Sequence, residues 1–342
     1  MASLPCLPAV RGDRPVWLFW SWLETTGVKR KDNTFSLRRF SLIVSLMPVQ
    51  HEDIRLDPDE TFRLLRWTRS VDQVSIVRGG VARKIQGQGD HWHYHRASEL
   101  SLIQRGSGTR FVADHIELFD AGDLVLIGSN VPHYWHQHGT SAGLSLQWDF
   151  PREHGVWSFG EAVDPLRRLA EAAQRGLHLR GGTALAAAAR MQELQHLSGL
   201  PRLLVFLNLL SLLASAPTCD TRPLAARPFE LDGTAEQQDA IQRAVSYILA
   251  HYRDPIRLDA LLPLTGMSRA TFARQFHRHA GKAFSTFLNQ VRLQAVCRAL
   301  RETAEPISAI AFNNGFNQLS FFNRLFRREF GTNPRAFREN GK

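Results

Sequence analysis

Residues 307–338 read ISAIAFNNGFNQLSFFNRLFRREFGTNPRAFR, and residues 258–281 read LDALLPLTGMSRATFARQFHRHAG. The second is an earlier copy of the first. Phe272, Arg274, Phe276, Arg278 and Gly281 recur at an offset of 50 as Phe322, Arg324, Phe326, Arg328 and Gly331. Upstream, Leu258, Leu261 and Gly266 match Ile307, Ile310 and Gly315 at an offset of 49, so the second copy carries one extra residue in its turn. Self-similarity at a fixed period marks a repeated supersecondary unit. Each copy reads as a short apolar helix, a turn at Gly, a capping residue (Ser268 or Asn317) and a second helix. The paired Phe residues lie at i, i+4 on one helix face, which leaves Arg274 with Arg278, and Arg324 with Arg328, on another.

A helix over about 285–302 lies between the two copies and is expected to fix their relation, so that both second helices reach successive major grooves about 34 Å apart. Charge agrees with a polyanionic partner. Residues 234–342 carry 16 Lys and Arg against 8 Asp and Glu, and so hold +8 of the net +10 of the 342-residue chain. Duplex DNA suits such a module. The residues expected to face it are Ser268, Arg269, Ala273, Arg274 and Arg278 in the first unit and Gln318, Ser320, Asn323, Arg324 and Arg328 in the second. An Arg can pair with guanine, and Gln or Asn with adenine. Arg278, Arg327 and Arg328 are assigned to phosphate or solvent.

Ile307 to Ala311, Gly315-Phe316, Ser320 to Arg324, Phe326 to Arg328, Gly331, Pro334 and Phe337-Arg338 resemble the C-terminal signature of AraC/XylS-type transcriptional regulators. Gly266 to Arg269 and Arg292 to Ala295 resemble that family's first helix-turn-helix unit and linker helix. The resemblance covers about a third of the chain. It implies a C-terminal seven-helix DNA-binding domain over 234–340, a dimeric regulator or activator of transcription, and RNA polymerase as a partner.

Between about 74 and 150 the pattern changes to short apolar or alternating runs. Ser75–Arg78, Leu100–Gln104, Arg110–Val112, Leu124–Ile127 and Gly143–Trp148 read as strands, with turns at Gly106, Asp114, Gly122 and Gly139. Short strands at this spacing argue for a small barrel or jelly roll. Gly87, His93, His95, Glu99 and Gly106 are spaced as in the first cupin motif, which they resemble. Gly122 and Pro132-His133 are similar to a degenerate second motif, with Gly128, Asn130 and Gln137 where Pro, Gly and Asn are usual. This implies a cupin-like effector-binding barrel over 57–155.

His93, His95, Glu99 and His133 are the residue types with which metal cupins hold a divalent cation, and imidazoles with a carboxylate suit Fe, Mn, Ni or Zn. These four with Trp135 are expected to line an effector pocket. Trp92, Tyr94, Tyr134 and Trp148 lie close by in sequence, and aromatic faces beside hydrogen-bonding groups suit a carbohydrate. Strand alternation places His91, His93 and His95 on one face and Trp92 and Tyr94 on the other; the histidines are expected inside. A metal-dependent enzyme fused to a DNA-binding module is the alternative reading. No phosphate-binding loop, dinucleotide fingerprint or Gly-x-Ser-x-Gly elbow occurs, so no catalytic residue is assigned and no phosphoryl-transfer or hydrolase reading has a motif behind it.

Residues 160–216 are rich in Ala and Leu, with helices expected over 164–175 and 183–214, broken by Gly181-Gly182 and Gly199-Leu200-Pro201; they form the expected helical dimerisation segment. Residues 217–233, with Pro217, Pro223 and Pro228, read as an interdomain linker. The apolar run 203–214 is shorter than the roughly 20 residues that span a bilayer, so no membrane partner is expected. Cys6, Cys219 and Cys297 form no metal or disulfide framework by spacing, which fits a reduced cytoplasm. Residues 1–46 lack a signal peptide's grammar and read as an extension, with Met47 the expected natural start. The fold expected is multidomain: an N-terminal β-barrel of cupin or jelly-roll type and an all-α C-terminal domain with two helix-turn-helix units.

Overall fold

A computed structural model describes residues 54, 56, 60–71, 73–86, 92–137, 139–150, 155–229 and 235–340. These belong to one compact unit, Pro48–Lys342. The expected start at Met47 and the extension before it lie outside the described residues, as do Gly87, His91 and His138.

The N-terminal half is built on two antiparallel sheets. Its strands are β1 (Phe62–Trp67), β2 (Gln73–Arg78), β3 (Val81–Gln86), β4 (Ser98–Arg105), β5 (Gly108–Val112), β6 (His115–Phe119), β7 (Leu124–Ile127), β8 (His133–Gln137) and β9 (Ala142–Trp148), followed later by β10 (Leu177–Leu179) and β11 (Thr221–Pro223). The larger sheet runs β11-β10-β7-β4-β9-β1-β2-β3 and the smaller β6-β5-β8. His93, outside the named strands, bridges to His133 at the start of β8.

Strand alternation divides the side chains of the large sheet. Leu100 and Leu102 of β4, Leu124 and Leu126 of β7, and Leu144, Leu146 and Trp148 of β9 enter one core with the covering helices. These are α1 (Asp164–Ala173), α2 (Gly181–Glu193) and α3 (Gly199–Ala214), which contribute Leu169, Met191, Phe206 and Leu210 among others. The intervening Ile103, Val125 and Ile127 join Val112, Phe119 and Trp135 in a second core between the sheets. The two glycine sites expected as breaks start helices instead: Gly181 opens α2, and Gly199 with Pro201 falls in the first turn of α3.

The segment expected as a linker is not a free tether over its first part. Leu177 to Leu179 pair with residues 221–223, which extends the large sheet by β11, and Leu224 and Ala225 are buried in the inter-sheet core. Arg222 donates to Glu117 of β6, which also accepts from the fully buried Arg110 at 2.7 Å; Arg110 in turn pairs with Asp123. Removing Arg110 would leave the buried Asp123 carboxylate without its guanidinium partner.

The C-terminal module comprises seven helices among the described residues: α4 (Ala235–His251), α5 (Leu258–Thr265), α6 (Arg269–Ala280), α7 (Phe284–Glu302), α8 (Ile307–Asn313), α9 (Leu319–Phe330) and α10 (Pro334–Asn340). Helix α7 serves two cores. Its Phe287, Leu288 and Val291 pack with Ile241, Ile248, Leu261, Phe272 and Phe276, while Leu293, Val296, Cys297 and Leu300 pack with Ile310, Phe316, Phe322 and Phe326. At 1.5 Å per residue its 19 residues make a rod of about 28 Å.

The β-stranded half and the C-terminal helical module, the reader, are joined. Trp92, Phe111 and Ile116 are buried in the same cluster as Phe287 and Val291. Gln294 donates to the Ile116 carbonyl at 3.1 Å, and the Lys282 ammonium donates to the Asp114 carbonyl. Gly281, the left-handed C-cap of α6 at φ 65°, lies so close to the Asp114 side chain that a Cβ could not fit. Its counterpart Gly331 at φ 68° has open space. Gly331→Ala should therefore cost only the left-handed strain of about 1–2 kcal/mol, and Gly281→Ala distinctly more. Thermal unfolding of the two full-length variants checks this; equal losses would mean that the Asp114 contact contributes nothing.

Candidate functional site

Helix α6 starts at Ser268, whose hydroxyl accepts from the Thr271 amide at 3.3 Å, and ends at Gly281. Its Phe272 and Phe276 are fully buried, which turns Arg269, Ala270, Ala273, Arg274, His277 and Arg278 outward. Helix α9 repeats the arrangement: Phe322, Leu325 and Phe326 are buried, while Ser320, Asn323, Arg324, Arg327 and Arg328 are exposed. Its N-cap is Gln318, with no side-chain capping bond, and not the expected Asn317. The reason is the extra residue in the second turn: the cap follows Gly266 by two positions and Gly315 by three.

All ten residues expected at a DNA interface are exposed, and they fall on these two helices or their caps. They are not equally available. Ser268 is engaged as a cap, and Arg269 is ion-paired with Asp259, which offsets its charge toward a phosphate. The Arg324 guanidinium lies over the Phe321 ring, 5.8 Å from its centroid, a contact that restrains the side chain without neutralising it. Ala270, not among the residues expected at the interface, is exposed one turn before Ala273 and Arg274 on the same face.

In the barrel, His93, His95 and His133 place one ligand atom each within 4.8 Å of one another, and all three are buried. Their approach follows from the bridge between His93 and His133, which brings two distant segments side by side. Glu99 of β4 completes the group, with its carboxylate 3.2 Å from His95 Nε2 and 3.9 Å from His133 Nε2. The Gln147 amide donates to Glu99 at 2.7 Å, and the Ser101 hydroxyl donates to its other oxygen. Burial pushes the Glu99 carboxyl up, but the His95 hydrogen bond, the charges of His133 and His95 and the Ser101 bond outweigh it, holding the group well below the usual carboxylate range. Burial and the neighbouring His93 push His133 well below the ordinary imidazole range, against the pull of Glu99.

The ring tautomers carry information. Nδ1 of His95 lies 2.8 Å from the Ala97 carbonyl and Nδ1 of His133 lies 2.8 Å from the Val131 carbonyl, so each Nδ1 holds a proton and each Nε2 is left to the cluster. His133 Nε2 is buried without a hydrogen-bond partner. The His95 Nε2 lone pair would face a carboxylate oxygen, an arrangement that requires a proton or a cation between them. Imidazoles oriented by backbone carbonyls, beside an anchored carboxylate, are what a divalent transition-metal site requires.

With both sites described, relatives can be compared. The helix-turn-helix domain family matches residues 263–340. The chain is similar to the HTH-type transcriptional activator RhaS of Escherichia fergusonii, 29% identical over 109 residues, covering 32% of this chain and 39% of the relative. It is similar to RhaS of Escherichia coli at 23% identity over 260 residues, covering 72% of this chain and 87% of the relative. Residues 263–340 form a helix-turn-helix domain, and the chain is similar to transcriptional activators over most of its length. Among solved structures it is similar to a probable AraC family transcriptional regulator from Rhodopseudomonas palustris, with 28% identity, a TM-score of 0.28, and coverage of 32% of this chain and 99% of that one. The alternative of a metal-dependent enzyme fused to a DNA-binding module has no support in these relatives.

The aromatic residues close to the histidines in sequence do not gather into one wall around them. Trp135 does lie by the histidines, its ring 5.5 Å from that of His133. Trp92 is buried against the reader, Tyr134 stacks on Phe111 in the same cluster, and Tyr94 alternates with His93 and His95. Trp148 belongs to the core under the covering helices and lines a cavity of about 510 Å³ there with Phe150 and Trp157. The period of two that points the histidines inward sends Trp92 outward. Of the free thiols, Cys297 is buried in the second reader core and Cys219 is exposed.

Proposed function

We propose that the chain regulates transcription by inserting α6 and α9 into successive major grooves of duplex DNA, under the control of a ligand held at the histidine cluster of the barrel. The observation that carries the DNA reading is the duplicated helix: buried Phe pairs on one face, exposed Arg pairs on the other, and one rod, α7, sharing a core with each copy. Ala273, Arg274, Ser320, Asn323 and Arg324 are assigned to base edges, and Arg278, Arg328, Ser268, Arg269 and Gln318 to the backbone and its approach. The setting is the cytoplasm; among the described residues no helix is long and apolar enough to cross a membrane. Activation through contact with RNA polymerase is proposed from the activators to which the chain is similar.

His93, His95 and His133 would hold a divalent transition-metal ion through imidazole nitrogen, with Glu99 as the adjoining carboxylate. Such an ion supplies a Lewis-acidic anchor for an oxygen of a small effector, beside Trp135. A connected set of strands links this site to the reader. His133 pairs with Val112 of β5, β5 pairs with β6, and Ile116 of β6 packs on α7 and accepts from Gln294. A ligand that binds better to one arrangement of this hairpin shifts the population of reader positions by that difference in affinity.

The partner in assembly is a second copy of the chain. Leu200, Leu204 and Leu207 of α3 are 65%, 57% and 40% exposed at i, i+4, i+7, and Leu185 of α2 is 77% exposed, an apolar stripe on the side away from the sheet. Helices paired along this stripe would place two readers on one duplex.

Three outcomes are expected. Arg324→Ala should weaken a selected site by about 10- to 100-fold, in line with about 1–3 kcal/mol for a base contact, while random duplex loses little; an equal loss on both, in fluorescence anisotropy, would make Arg324 a phosphate contact. Elemental analysis of purified protein should give one metal ion per chain, lost in His133→Ala; equal metal in both would refute the cluster as its ligand. Leu204→Glu should leave monomers in analytical ultracentrifugation, and an unchanged mass would remove α3 from the interface.

A further inference from the structure

A second site lies where the barrel, the segment after β11 and the first reading helix meet. A cavity of about 800 Å³ opens there, within the range of small-molecule sites. One wall is the β5–β6 turn, Ala113 and Asp114; another is Arg227 with Phe229; the third is α6, which contributes Arg274, Arg278 and His279. Three guanidinium groups thus line one space, and the carboxylate of Asp114 is already engaged by the Ala226 amide at 3.2 Å. His279 is 9% exposed, lines the cavity, and holds its Nε2 buried without a hydrogen-bond partner. The Phe229 ring, 6.2 Å from that of His279, provides an apolar surface beside this donor.

We propose that this cavity binds a small organic phosphate ester, its phosphate taken by Arg227, Arg274 and His279 and its apolar part laid against Phe229, and that such a ligand competes with DNA for Arg274. Guanidinium forks match phosphate oxygens, and a buried imidazole N–H supplies the neutral donor that a partly enclosed anion needs. The competition follows from geometry: Arg274 sits on the exposed face of α6 and also in the cavity wall. This part rests on the proposed role of α6 at DNA. The other two walls come from outside the reader, so an occupant also holds α6 against the barrel. Ligand at this site would oppose DNA binding, independently of what the histidine cluster holds.

Phenyl phosphate is the probe, because it combines a dianion with one ring. Isothermal titration of the full chain should give one site per chain, with inorganic phosphate binding at least tenfold more weakly. Arg227→Ala and Arg274→Ala, both at exposed positions, should each lower phenyl phosphate affinity at least tenfold. Arg227→Ala should leave the affinity for a random duplex unchanged, as read by anisotropy at fixed salt, and phenyl phosphate should displace that duplex from the unmodified chain. No binding at millimolar probe, or undiminished binding in either variant, overturns the site. A parallel loss of duplex and probe in Arg227→Ala also overturns it, since the cavity would then seat a backbone phosphate of DNA. Undiminished affinity for a selected site in Arg274→Ala would instead refute the assignment of α6 to DNA, while the loss of probe still located the site.

Discussion

One apolar contact decides what this molecule can do as a whole: the burial of Trp92, Phe111 and Ile116 from the barrel in the same cluster as Phe287 and Val291 of α7. Each such side chain contributes about 1.5–3 kcal/mol when withdrawn from water, and interfaces inside a chain move readily unless they are large and hydrophobic. Around this cluster sit two directional bonds, Gln294 to the Ile116 carbonyl and Lys282 to the Asp114 carbonyl. Both end on backbone oxygens of the β5–β6 hairpin. These two bonds register the helical module against main chain, whose position is set by strand pairing.

That hairpin is also where the barrel's interior is recorded. β5 lies between β6 and β8, and β8 begins at His133. The buried ion pairs of Arg110 with Glu117 and Asp123 tie the hairpin to the turn before β7, and Arg222 ties it to β11. Under the ligand control proposed above, a displacement at His133 would pass through these paired strands to β6, which packs on α7.

How much of this could be read in the sequence depends on which residues hold each element. The two helix-turn-helix copies were legible because Phe272 with Phe276, and Phe322 with Phe326, carry the helical period within one turn, and because Gly281 and Gly331 close the helices. The AraC resemblance rests on Phe322, Phe326 and Gly331 of these, with Ile307 to Ala311, Gly315-Phe316, Pro334 and Phe337-Arg338, and on Gly266 to Arg269 and Arg292 to Ala295. Strands β4, β7 and β9 were legible as apolar runs, since both their faces are buried. β1 was not: Arg63 interrupts its pattern and is tolerated because its guanidinium donates to Gln147 at 2.7 Å, a partner 84 positions away. β11 was read as part of a linker because Pro223 and Pro228 are loop signals; it pairs only with the three-residue β10, an edge where proline is admitted. The histidine cluster was legible through spacing and alternation, whereas the Phe229–His279 cavity was not, since it forms only when three distant segments meet.

The two halves of the reader do not feel the barrel equally. Trp92, Phe111 and Ile116 are all in the first half's core, while the second half's core has the barrel residue Leu118 only packed against its margin. A shift of β6 therefore acts first on the cluster of Phe272, Phe276 and Phe287, and reaches α9 through α7. Because α7 contributes Leu293, Val296, Cys297 and Leu300 to the second core, it carries α9 with it as one body. The separation of α6 and α9 is set within the helical module, by α7 and by the close approach of Gly315 to the Tyr252 and Arg253 carbonyls. Under the ligand control proposed above, both helices would therefore move together and keep their spacing.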